Sequence, residues 1–268
     1  RSYMPPDLLH GIHVALAAHR AQLVSAAVTD DALVEEQGVP SLLRHWAADG
    51  TLINVNKGIP ADVADLLQRY RIPAVWINVK LRNDAAHFDD AGGARAATEH
   101  LLRLGHRRIG FVDSLLGDVH YSSVDRQAGY AGAMRDAGLA TRALCDVFDE
   151  SDPLADNRVE LVRRWLLLEP RPTAILGYPP FSSVPAYLAA RDLGLRIPAD
   201  LSIVTFDDQQ ISRRAGVPMT TVHLDEFALG RTAADMLYAK IDEGGAAQPS
   251  AVMACSLHQG LTTAQPPH

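Results

Sequence analysis

The chain has 268 residues, 47% of them hydrophobic and 21% charged, which suits one large globular domain or two smaller ones. A net charge of −7 argues against a surface that holds nucleic acid or an anionic membrane as a whole. Cys145 and Cys255 form no short-spaced pair, so neither a disulfide framework nor a zinc ribbon is indicated, and a reducing cytoplasm is the expected setting.

From its start, RSYMPPDLLHGIHVALAAHR (1–20) lacks the apolar centre of a secretory signal and leads into a helix. No apolar run approaches the roughly 18 residues that a membrane span needs. The pattern then predicts buried parallel strands at QLVSAAV (22–28), TLINV (51–55), PAVWINV (73–79), RRIGFV (107–112), TAILGY (173–178) and LSIVTF (201–206). Each is short, rich in Val, Ile and Leu, and bounded by turn residues. Between them, GGARAATEHLLRLG (92–105) carries Ala94, Ala97, Leu101 and Leu104 at helical spacing, with Gly105 as its C′ residue. SSVPAYLAARDLG (182–194) repeats that design and closes on Gly194. Such alternation means an α/β fold of parallel sheets covered by helices on both faces. The strands outnumber those of one ordinary sheet, which predicts two lobes and a ligand cleft between them, outside the carboxyl ends of the strands.

Phosphate-binding glycine loops and the G-x-S-x-G nucleophile elbow are absent. His10 and His13 lie three apart beside Asp7, a spacing that a solvated helix face explains better than a metal site. Arg103, His106, Arg107 and Arg108 make a basic cluster at the end of a helix, where positive charge offsets the helix dipole; a nucleic-acid contact is the weaker reading. Polar residues at strand ends are the better candidates. Asn54 ends TLIN, Asn78 ends AVWIN, and Asp207 with Asp208 ends LSIVTF. Ser122, Ser123, Asp125 and Arg126 occupy a polar stretch just ahead of the helix RQAGYAGAMRDAGL. A carboxylate and a guanidinium facing one cleft can each make two directional hydrogen bonds to neighbouring hydroxyls, which suits a polyhydroxylated ligand. Spacing alone equally allows Asp207 and Arg126 to cap turns or to pair with each other.

Four segments resemble, in order and spacing, the lactose/galactose-repressor (LacI/GalR) family of transcriptional regulators, and the likeness covers essentially the whole chain. They are DDAGGARAATEHLLRLGHRRIGFV (89–112), DRQAGYAGAMRDAGL (125–139), ARDLGLRIPADLSIVTFDD (190–208) and MTTVHLDEFALGRTAADML (219–237). The resemblance implies a type I periplasmic-binding-protein-like fold, two doubly wound lobes joined by three crossovers. It places the N-terminal lobe at about 1–88 and 223–254, and the C-terminal lobe at about 89–222 and 255–268. It also implies that Arg126 grips ligand hydroxyls or a carboxylate and that Asp207 is the acidic ligand contact. Asn78, Asn54 and Ser122 fall at further contact positions. The family's helix-turn-helix head, its hinge helix and the first strand of lobe one do not occur in this sequence. After TAIL, the family's polar turn is replaced by GYPPFSSVP, where two prolines remove amide donors and Tyr178 can stack on the apolar face of a sugar. The family's [RK]-x-S/T near the C-terminus reads QGLTT (259–263), so an altered ligand is expected.

By this resemblance the chain is a ligand-gated regulator and not an enzyme. It takes a small effector, by default a carbohydrate, between its lobes, needs no cofactor or metal, and forms a homodimer. Operator DNA is reached only through the missing head, and no membrane is involved. A periplasmic sugar-binding protein of the same fold is the alternative. A sugar hydrolase is the other rival, and it would need two carboxylates flanking one pocket.

Overall fold

The computed structural model describes residues 4–25, 48–54, 61–115, 120–147, 157–178, 180–207, 216 and 218–267. The chain divides into two units, Arg1–Phe88 with Asp225–Met253, and Asp89–Leu224 with Ala254–His268, and it passes between them three times. Among the described residues no helix is long and apolar enough to cross a membrane.

The first unit is built from α1 (Pro6–Ala18), β1 (Thr51–Asn54), α2 (Ala61–Arg69), β2 (Ala74–Ile77), β3 (Ala85–Phe88), a late helix that follows the crossover at Leu224, and a late strand (Ala251–Met253). Its sheet is parallel throughout, in the order β1, β2, β3, late strand. Val63 and Leu67 of α2 pack with Ala74, Trp76, Val79 and Ala85 to form its core. The opening helix begins on Pro6, where the missing amide hydrogen leaves no bond unmade. It lies close against the late helix (Glu226–Asp242), because a Cβ at Gly11 would meet the carbonyl of Phe227 and one at Gly230 the carbonyl of Leu8. Residues 22–25 of the predicted strand QLVSAAV are not in a strand, and 26–28 lie outside the described residues.

The second unit contains α3 (Asp90–Arg103), β4 (Ile109–Leu115), α4 (Tyr121–Asp136), β5 (Ala143–Val147), α5 (Arg158–Leu166), β6 (Ala174–Tyr178), α6 (Pro180–Asp192), β7 (Ser202–Asp207) and β8 (Thr220–His223). In chain order the late elements are then α7 (Glu226–Asp242), β9 (Ala251–Met253) and β10 (Ser256–His258). Its six strands run β10-β8-β7-β6-β4-β5, with only β10 antiparallel to its neighbour. Alternate residues of the same strands feed two cores. Phe111, Leu176, Val204 and Phe206 meet α3 and α4 on one face, while Val112, Ile175 and Ile203 meet α5 and α6 on the other. Burial of both faces is why these strands read as continuous apolar runs. Gly105 and Gly194 take positive φ just past α3 and α6, the left-handed conformation that a helix C-terminus favours.

His106 corrects the basic cluster read from the sequence. Its ring is 0% exposed and lies 2.9 Å from Thr173 Oγ1 through Nδ1, and 2.9 Å from the Ala264 carbonyl through Nε2. A carbonyl can only accept, so Nε2 carries the proton and the neutral ring is satisfied on both sides. Thr262 and Thr263 continue this attachment of the C-terminal tail. Thr262 Oγ1 donates to the Ile203 carbonyl at 2.6 Å, and Thr263 Oγ1 lies 2.9 Å from Thr220 Oγ1. Burial holds His106 below the ordinary histidine range because desolvation penalises the imidazolium, and His100 is lowered for the same reason. The unfolded chain therefore takes up these protons first as the pH falls. The stability contributed by the neutral rings is complete above about pH 6.5 and is lost progressively below it. The melting temperature is expected to fall between pH 7 and pH 5, and His106→Asn to flatten part of that slope. Melting curves of both proteins across this range check it, and an unchanged slope in the variant would assign the loss to other groups.

Candidate functional site

The polar strand ends singled out in the sequence fall into two groups, one in each unit. In the first unit Asn54 is the last residue of β1, and Asn78 directly follows β2, its in-register neighbour. Asn78 takes φ 60°, a left-handed backbone that asparagine tolerates better than most residues. Its Nδ2 donates to Asn54 Oδ1 at 2.9 Å. The structure thus brings these two predicted residues together.

In the second unit the centre is Arg126. Ser122, Ser123, Asp125 and Arg126 do not precede a helix, as the sequence suggested; they lie inside the first turns of α4, which starts at Tyr121. The reason is the cap, since the side chain of His120 accepts from the Ser122 amide and opens the helix earlier than the polar composition implied. His120 Nδ1 also lies 2.7 Å from the buried Ser122 hydroxyl. Arg126 is 4% exposed, and its partner is Asp90, with Nε at 2.6 Å and a terminal nitrogen at 2.5 Å from Oδ1. The guanidinium carbon sits 4.0 Å above the ring centre of Phe206, near the end of β7. A cation over an aromatic face, taken out of water, gains more than the same contact at the surface.

Backbone packing sets this pair. A Cβ at Gly129 would collide with the Ala91 carbonyl, so glycine lets α4 approach the first turn of α3. Arg126, one turn before Gly129, then meets Asp90, the residue before Ala91. The start of α3 is itself fixed by Asp89, whose side chain accepts from the Gly92 amide at 2.9 Å.

A further carboxyl joins the cluster that the sequence reading passed over. Asp113 lies on β4 in register with Tyr178 of β6 and Cys145 of β5. It is 2% exposed and accepts a short hydrogen bond from Ser123 Oγ through Oδ2. Burial raises its carboxyl above the usual range, while the Ser123 bond and the charge of Arg126 pull it back. The available signal was a charged residue inside an otherwise apolar strand, directly after RRIGFV. Ser183 on α6 and Thr205 on β7 form another buried pair, hydroxyl to hydroxyl at 2.7 Å. Tyr178 and Asp207 end β6 and β7, which puts them at the same carboxyl edge of the sheet, and their side chains lie outside the described residues, as does Asp208.

A buried ion pair resists the loss of either member, because the survivor keeps an uncompensated charge. Asp90→Ala is therefore expected to lower the unfolding free energy by about 3–5 kcal/mol. Adding Arg126→Met should restore a large part of it. Urea unfolding of the single and double variants measures this, and strictly additive losses would show that the two residues are not coupled.

The family model of the periplasmic binding protein-like domain matches residues 98–263. The HTH-type transcriptional repressor PurR of Haemophilus influenzae is 30% identical over 210 residues, which are 76% of this chain and 61% of that protein. The chain thus spans 61% of the length of such curated relatives. The arabinose metabolism transcriptional repressor of Geobacillus stearothermophilus is 31% identical over 255 residues, 90% of this chain and 68% of that protein. Among solved structures, the lac repressor dimer bound to operator and the anti-inducer ONPF matches with a TM-score of 0.80 at 25% identity, covering 97% of this chain and 89% of that one. The chain belongs to the LacI/GalR family of transcriptional regulators, a non-enzymatic family, as an effector-binding domain of the periplasmic-binding-protein-like fold.

Proposed function

We propose that this chain is the sensor of a ligand-responsive transcriptional repressor, and that its effector is a small polyhydroxylated molecule, a carbohydrate. The observation that carries the reading is Arg126, a guanidinium buried at the carboxyl edge of a parallel sheet, where such folds bind ligands. Its planar fork of five donors matches the paired oxygens of a carboxylate or of neighbouring hydroxyls. The further ligand contacts that this reading assigns are Ser122, Asp207, Tyr178, Asn54 and Asn78. The relative from Geobacillus stearothermophilus, a repressor of arabinose metabolism, supports a carbohydrate effector.

Effector that binds one arrangement of the protein better than another shifts the population toward it, and operator affinity follows by linkage. The similarity to a lac repressor dimer on its operator supports a homodimer, whose two-fold symmetry suits paired half-sites. DNA contact would come from a segment other than the residues described here, in keeping with a net charge of −7. The setting that this reading implies is the cytoplasm, with neither cofactor nor metal required.

A thermal-shift screen against neutral pentoses, hexoses and disaccharides, nucleobases and sugar phosphates tests the reading. Ligand that binds only the folded state at 100 times its Kd stabilises by about 2.7 kcal/mol. For a chain of this size that is a rise of very roughly 5–10 °C. One sugar is expected to give it, with the rise reduced in Asn54→Ala and abolished in Arg126→Lys. A rise from a nucleobase alone would overturn the carbohydrate class, and no rise from any compound would overturn the sensor reading. Sedimentation should return the mass of two chains, and a monomer at micromolar concentration would remove the dimer from the proposal.

A further inference from the structure

Asp113 has a feature that the rest of the cluster lacks. Its Oδ2 is engaged by Ser123, but its Oδ1 is buried and has no hydrogen-bond partner among the described residues. A buried carboxylate oxygen without a donor is costly, because it has given up water and received nothing in return. The neighbours do not relieve it. The Arg126 cation, whose charge reaches Asp113, is already answered by Asp90 at 2.5 Å. Among the described residues the cluster thus holds two buried carboxyls, Asp90 and Asp113, against one guanidinium. A further carboxylate, Asp125, lies half-buried one position before Arg126 on α4. Placed on β4 in register with Tyr178, the last residue of β6, Asp113 stands at the carboxyl edge of the sheet, where a ligand would enter.

We propose that Asp113 is a specificity-determining ligand contact, whose free oxygen accepts a hydroxyl or ammonium donor from the effector and turns away phosphate and carboxylate groups. This rests on the effector-binding reading above and sharpens it. A polyol or amino sugar supplies the missing donor and leaves the excess negative charge undisturbed or balanced. An anionic sugar adds a third charge of the same sign beside one cation that is already paired. A site shaped for its ligand gives up stability in this way, where function requires it.

The test uses the whole chain, Asp113→Ala and Asp113→Asn. Melting is first measured without ligand, then with L-arabinose, D-ribose, D-glucose, D-galactose, D-glucosamine, D-ribose 5-phosphate, D-glucose 6-phosphate and inorganic phosphate. Without ligand, Asp113→Ala is expected to melt at or above the temperature of the unaltered chain, since it removes a desolvated carboxylate. A carboxylate of purely structural role would give the opposite, and a clear fall in melting temperature would overturn the proposal. With ligand, a neutral or amino sugar is expected to raise the melting temperature of the unaltered chain. That rise should vanish in Asp113→Ala, and affinity should weaken at least about ten-fold in Asp113→Asn, the loss that follows when a hydrogen bond to a charged group goes unmade. A sugar-dependent rise that survives in Asp113→Ala would overturn this role of Asp113 and leave the carbohydrate sensor standing. A phosphate ester that outbinds its parent sugar would overturn the exclusion of anions, again without touching the sensor. An unaltered chain that responds to none of these compounds would sink both the inference and the carbohydrate reading on which it rests.

Discussion

A guanidinium removed from water at the end of a parallel sheet is the constraint around which the second unit is arranged. Desolvating a charge of this kind costs several kcal/mol, roughly, even after relaxation, and only close, well-directed partners offset it. Arg126 receives Asp90 in the plane of its fork and Phe206 beneath it. Each partner comes from a different element, so three pieces of backbone must be placed before one side chain can be buried. Gly129 allows α4 to approach α3, Asp89 fixes where α3 begins, and the alternation of β7 turns Phe206 to the face those two helices cover. The ion pair is weak evidence of stability and strong evidence of specification, because its geometry fails if any one of the three shifts.

This dependence also explains what could be read from the sequence. Strands such as TAILGY and LSIVTF were legible because both their faces are buried, and a double-faced apolar run needs no partner to be recognised. Gly105 and Gly194 were legible for a local reason, the left-handed turn just past a helix. By contrast, β3 and β5 were not read, and β10 was missed because SLH carries no apolar run and is held as an edge strand by its pairing with β8. The start of α4 was misplaced because the cap is a histidine, a residue that composition does not mark as a helix opener.

The site was legible only in part, and the division is instructive. Arg126, Asn54 and Asn78 stood out as polar residues at strand ends or beside a likeness to the family, and the structure pairs the two asparagines directly. Asp90 was in view inside DDAGG, yet nothing in a linear reading links it to a residue 36 positions away. The pairing of Asp113 with Ser123, 10 positions apart, escaped for the same reason. His106 was taken for part of a basic cluster that offsets a helix dipole, because adjacent arginines conceal that its own ring turns inward to Thr173 and the C-terminal tail. Charge in a sequence reports the residue type; burial decides whether that charge exists.

Both units hold polar side chains near strand ends in fixed pairs. Asn78 is held by Asn54, Ser123 by Asp113, Ser183 by Thr205, and Arg126 by Asp90 and Phe206. Fixing a flexible side chain at the moment of binding costs about 0.5–1.5 kcal/mol for each group immobilised. If these groups are the ligand contacts proposed above, much of that ordering is supplied by the hydrogen bonds of folding. A sensor gains from this in a way that an enzyme need not. Its output is the difference in affinity between two arrangements of the same protein, so a rigid contact set lets a small displacement of one strand end change the fit sharply. Loose side chains would follow the ligand and blur that difference. On the proposed reading the locked pairs would belong to the signal as much as to the affinity, beside the one oxygen of Asp113 left for the ligand.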